Sequence, residues 1–166
     1  MDSNSHLESH QGGCHCGRIR YKFEAPKSVT AFKCNCSMCS KRGNISFSVP
    51  KHNFSLLSGE SYITTYSFGT HTAKHTFCNV CGITSFNISR SNPHAVSINV
   101  NCVDPGTLTH VEILSFDGRN WERTHYLRTK MKEAQLRGDK DNSSNESSDQ
   151  GYEVGSDVSN SLPQSH

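Results

Sequence analysis

The sequence predicts a mainly β domain with one C-terminal helix and disordered ends. Three observations carry that expectation. Short runs rich in β-branched and aromatic residues recur between Gly, Pro, Asn and Ser from residue 12 to about residue 121. Helix formers then take over in "WERTHYLRTKMKEAQLRG", which closes on Gly138 with basic residues toward its end. Only 33% of the 166 residues are apolar while eight are cysteine, so a modest core is expected to need help from its thiols.

Residues 1–11 read as a polar, disordered leader, without the apolar run of a secretory signal. Residues 12–137 form the expected domain. In "RIRYKFE" (18–24), Ile19, Tyr21 and Phe23 alternate with charged residues, the pattern of a half-buried strand. Further strands are expected at 44–50, 54–59, 62–68, 73–77, 83–89, 95–101 and 110–116. "DPG" (104–106) and "DG" (117–118) mark turns. The helix spans 121–137, and Trp121, Tyr126 and Leu127 are available to dock on a sheet. Residues 138–166 are Ser/Asn/Asp-rich with almost no bulky apolar side chains. Burial cannot offset their ordering entropy, so an acidic disordered tail is expected.

No stretch has the apolar length of a membrane span. Without a signal the expected compartment is reducing, cytoplasmic or nuclear, and clustered thiols there read first as metal ligands. The triplets beginning at Asn44, Asn53 and Asn87 then carry no glycosylation meaning. The net charge of +2 is uneven, with six acids and one lysine (−5) in residues 138–166 and +7 in residues 1–137. Metal-bound thiolates would bring the domain to about +4. Its basic residues form no run, so nucleic acid is not the expected main partner.

Seven cysteines fall into three blocks: Cys14 and Cys16; Cys34, Cys36 and Cys39; Cys78 and Cys81 followed by Gly82. A structural zinc closes its shell with four ligands, usually two pairs from separate turns. The two pairs supply such a set and leave a compact triple. One alternative joins the triple to one pair and leaves a thiol over. Another closes the triple with Cys102 or a histidine, making a second structural site. A lone cysteine at a strand end is more often a small buried hydrophobe. His15 is a spacer expected to point away from a metal, and His75, beside the 78/81 turn, is the isolated histidine nearest the metal blocks in sequence.

"GGCHCGRIRY" (12–21), "CNCSMC" (34–39) and "HTFCNVCG" (75–82) give the chain a specific resemblance to the glutathione-dependent formaldehyde-activating enzyme family. "ITTYSFGTHTAKHTFCNVCG" and "SRSNP" are similar to its centromere-protein-V branch. The resemblance covers roughly residues 12–125. It implies a zinc-bearing β-tent with two zinc ions, one structural on Cys14, Cys16, Cys78 and Cys81, the other catalytic on Cys34, Cys36 and Cys39. It further implies carbon–sulfur lyase chemistry, in which a small thiol such as glutathione and an aldehyde are joined as S-hydroxymethylglutathione or released from it. Soft thiolate ligands suit a substrate thiol as fourth partner. Lys41, Arg42 and Arg90 are candidate partners for the carboxylates of glutathione. The branch resemblance carries the alternative of a non-catalytic zinc scaffold with a cytoskeletal or chromosome-associated role, whose protein partner would meet the basic helix.

Overall fold

A computed structural model describes the backbone of residues 6–142 and the side chains of residues 6–137. The chain divides into two compact units, residues 1–126 and 127–166; within the second, the described residues continue one helix. The strands are β1 (Glu8–Gly13), β2 (Arg20–Ala25), β3 (Ser28–Cys34), β4 (Ile45–Pro50), β5 (Phe54–Ser58), β6 (Ile63–Tyr66), β7 (His75–Cys78), β8 (Phe86–Asn87), β9 (Ala95–Asn99) and β10 (His110–Phe116). Helix α1 (Ser37–Arg42) follows β3, and helix α2 (Trp121–Asn142) follows β10. Three sheets result, ordered β1-β2-β5, β10-β3-β4-β9-β8 and β6-β7.

The alternation of β2 builds the core. Tyr21 and Phe23 are buried while Lys22 between them is exposed. Tyr21 meets Phe54 at 5.3 Å and Phe86 edge-on at 5.6 Å, and Phe23 meets Phe47 at 5.7 Å. These rings join the first sheet to the second, each contributing about 1.5–3 kcal/mol by burial. The Tyr21 hydroxyl donates to the Ser85 carbonyl at 3.1 Å, so its one polar atom is satisfied.

Several expectations are corrected. The leader is shorter, because residues 8–11 belong to β1. His10 looks polar but is fully buried, stacked on Phe23 at 5.1 Å with its Nε2–H donating to the Ala25 carbonyl at 3.0 Å. Gly12 is required rather than incidental: a Cβ there would lie 2.5 Å from the Cys102 carbonyl oxygen. β3 and the short helix at residues 37–42 are elements that the sequence pattern did not announce. The 83–89 strand shrinks to Phe86–Asn87. Helix α2 passes through Gly138 to Asn142, since an interior glycine costs about 1 kcal/mol without forbidding helical torsions. The rest of the expected tail and residues 1–5 lie outside the described residues.

One pairing departs from the antiparallel rule. β10 runs parallel to β3 in unbroken register from Ser28↔His110 to Cys34↔Phe116. That register delivers the turn after β10 to the first cysteine of the triple.

Candidate metal centres

The first centre is assembled from two turns far apart in sequence. After β1, the Cys14 amide donates to the Ile19 carbonyl at 3.1 Å and the Ile19 amide donates to Cys14 Sγ at 3.3 Å. After β7, the Gly82 amide donates to the Cys78 carbonyl at 2.8 Å, at a φ of 74° that favours glycine. The Sγ atoms of Cys14, Cys16, Cys78 and Cys81 all lie within 4.8 Å of one another. Cys14 to Cys16 is 3.5 Å and Cys16 to Cys78 is 3.7 Å. A tetrahedral ion bound at about 2.3 Å by four sulfurs needs edges of about 3.8 Å, so the spacing fits a metal. All eight cysteines are free thiols.

Proton chemistry agrees with that fit. Burial chiefly pushes the Cys14 thiol up to about 11, while the Arg18 backbone amide chiefly draws Cys16 down to about 6. One sulfur ionises readily and a neighbour resists. A cation in their midst is what lets the whole set ionise.

The second centre comes from one hexapeptide. Cys34 ends β3, Cys36 is the N-cap of α1, and Cys39 lies in its first turn. The Cys36 amide donates to Cys34 Sγ and the Cys39 amide to Cys36 Sγ, both at 3.4 Å, so a thiol does the capping work usually given to a serine. The three Sγ atoms lie within 4.8 Å of one another, and each residue is half-buried. Among the described residues no fourth Cys, His, Asp or Glu ligand atom joins them. The hydrogen bond between Cys34 and Cys39 chiefly draws Cys34 down to about 6 and pushes Cys39 far up, so the pair holds a proton that a metal would displace.

The turn after β10 backs this hexapeptide, a role the "DG" signal did not reveal. Asn35 Nδ2 donates to Asp117 Oδ1 at 2.9 Å, and Asn120 Nδ2 donates to Asp117 Oδ2 at 2.8 Å. The Arg119 amide donates to Asn35 Oδ1 at 3.1 Å. The Gly118 amide donates to the Phe116 carbonyl at 3.0 Å, and a Cβ on Gly118 would stand 2.4 Å from Cys34 Sγ. Asn120 first, then Asn35, hold the Asp117 carboxyl below its usual range.

The remaining candidates separate clearly. Cys102 belongs to neither cluster; its half-buried Sγ lies 3.9 Å from the Thr84 carbonyl, and burial pushes its thiol up to about 11. His75 is buried against Phe68 at 5.4 Å, and burial first, then Arg42, disfavours its charged form. Arg42 closes α1, donates to Thr84 Oγ1 at 2.7 Å and lies 5.7 Å over the Phe77 ring. Arg90 is bonded to Glu122 at 3.0 Å and lies 3.7 Å over Trp121, away from a free role with an anion. Lys41 and His15 are exposed.

No helix among the described residues is long and apolar enough to cross a membrane. The glutathione-dependent formaldehyde-activating enzyme family matches residues 9–116, a stretch holding all seven clustered cysteines. A solved crystal structure of a Rhodobacter sphaeroides protein is similar at 36% identity and a TM-score of 0.55, covering 63% of this chain and 99% of that one. With both cysteine sets drawn together inside the matched stretch, the chain belongs to the glutathione-dependent formaldehyde-activating enzyme family.

Proposed function

We propose that this protein is a zinc-dependent carbon–sulfur lyase-type enzyme acting on a thiol–aldehyde adduct such as S-hydroxymethylglutathione. The observation that carries the reading is the half-buried three-sulfur set on Cys34, Cys36 and Cys39, which leaves one corner of a tetrahedral ion to a ligand from outside the chain. Cys14, Cys16, Cys78 and Cys81 would hold a second, structural zinc. Zinc at the three-sulfur set supplies a soft Lewis acid that favours the deprotonated form of an incoming thiol.

The chain's own part is positioning. Helix α1 fixes Cys36 and Cys39 on one turn, and β3 fixes Cys34, so the three sulfurs converge before substrate arrives. In the joining direction a carbon–sulfur bond forms as the aldehyde C=O opens to an alkoxide, and the proton lost by the thiol ends on that oxygen. Cleavage is the reverse, with no change of oxidation state. Arg42, three residues beyond Cys39, and exposed Lys41 provide positive charge for the carboxylates of glutathione. Arg42 is held in place by Thr84 while retaining further N–H donors.

The test is metal stoichiometry combined with a glutathione titration followed by zinc-edge X-ray absorption. Two zinc ions per chain and an added sulfur at the second are expected. An unchanged sulfur count, with no acceleration of hemithioacetal exchange, overturns the reading.

A second reading is a non-catalytic zinc scaffold of the centromere-protein-V type. It draws on α2, where Tyr126, Leu127, Met131 and Leu136 are 49–65% exposed among basic residues. A scaffold predicts no thiol exchange at the second ion, so the same titration separates the two.

A further inference from the structure

We propose that the 117–120 turn is a positioning element for the three-cysteine centre, with Asp117 and Gly118 as its positioning residues. The inference rests on the reading of that centre as a metal site. Asn35 stands between two of the three ligands and is held at three points. Its amide donates to the Phe116 carbonyl at 3.1 Å, its Nδ2 to Asp117 and its Oδ1 accepts from Arg119. Any rotation of Asn35 therefore moves the Cys34 and Cys36 sulfurs together. Both oxygens of Asp117 are engaged, one by Asn35 and one by Asn120, so the carboxylate ties the ligand loop to the start of α2.

Gly118 acts on the sulfur itself. Its amide donates to the Phe116 carbonyl at 3.0 Å, and the absence of a side chain lets the backbone sit where a Cβ would stand 2.4 Å from Cys34 Sγ. The turn thus fixes where the Cys34 sulfur stands and, with it, the direction of the free corner.

The test uses the full chain loaded with cobalt(II), which reports each thiolate set by its charge-transfer absorption. Asp117→Ala is expected to bind metal about 10- to 100-fold more weakly at the three-cysteine centre, with a shifted band, while the four-cysteine centre is unchanged. Asp117→Asn keeps both hydrogen bonds once the exposed Asn120 amide turns its Oδ1 toward the new donor, and is expected to recover most of that loss, which a merely destabilised fold would not. Wild-type affinity and spectrum in Asp117→Ala, or Asp117→Asn no better than Asp117→Ala, overturns the proposal. Glutathione is the separate arm. If it leaves the wild-type cobalt spectrum unchanged, the enzymatic reading fails, while the positioning role is still judged on metal affinity.

Discussion

The two cysteine centres differ in how far the chain travels to make them. The four-cysteine set joins turns 62 residues apart, with Cys14 and Cys78 buried in the core. The three-cysteine set is complete within six residues, and none of its members is fully buried. On the proposed reading, long separation with burial would make a metal on the first set a fastener of the fold. Short separation with partial exposure would make a metal on the second an appendage that the fold presents. The same ligand type thus serves two ends, decided by topology rather than by chemistry.

The largest expected effect breaks the first centre. Cys78→Ser should remove coupled folding energy on the order of 10 kcal/mol and leave the domain unfolded by circular dichroism. A soluble mutant that still melts cooperatively would erase the distinction. Cys36→Ser should keep one metal and a cooperative melt while losing the second metal and thiol binding, as read by metal analysis and titration. Damage equal to that of Cys78→Ser would make both centres structural.

Gly118→Ala is a finer probe. The added carbon would lie 2.4 Å from Cys34 Sγ and must displace it. Second-site cobalt affinity should fall about tenfold or more, with the first site unchanged. The smallest effect concerns Asp104, which pairs with Arg20 near the buried centre. Arg20 chiefly holds its carboxyl below the ordinary 3.8. A depressed acid stabilises fully above its unfolded value and loses that contribution as pH falls through the folded one. Because the pair is partly in solvent, Asp104→Asn should cost about 1 kcal/mol or less near neutrality. The difference from wild type should shrink in thermal melts as pH falls below the ordinary carboxylate range.

Much of this contrast was legible from spacing alone. Counting ligands in the three blocks separated 14/16/78/81 from 34/36/39, alternation located β2, and the density of β-branched and aromatic residues located β4 and β10. What could not be read were features whose cause lies elsewhere in the chain. His10 looks like part of a polar leader until Phe23 is placed beside it, and the demand on Gly12 shows only once the Cys102 carbonyl is in place. Asp117 and Gly118 look like an ordinary turn because their partners, Asn35 and Cys34, are more than 80 residues away. Cys102 drew attention as a possible ligand because sequence distance says nothing of where a side chain points.

The parallel pairing of β10 with β3 also imposes an order in time. Asn35 leaves the ribosome 82 residues ahead of Asp117, and non-local pairings of this kind are slow to form. The nascent hexapeptide therefore meets the cell's ions with its three sulfurs unsupported, and its latch arrives afterwards. If the three sulfurs take up an ion at that stage, its selection would be an early event, and the turn would close over it later. A thiol-alkylation pulse during refolding in metal checks this sequence: Cys39 should gain protection before the β3–β10 pairing completes, and simultaneous protection would contradict it.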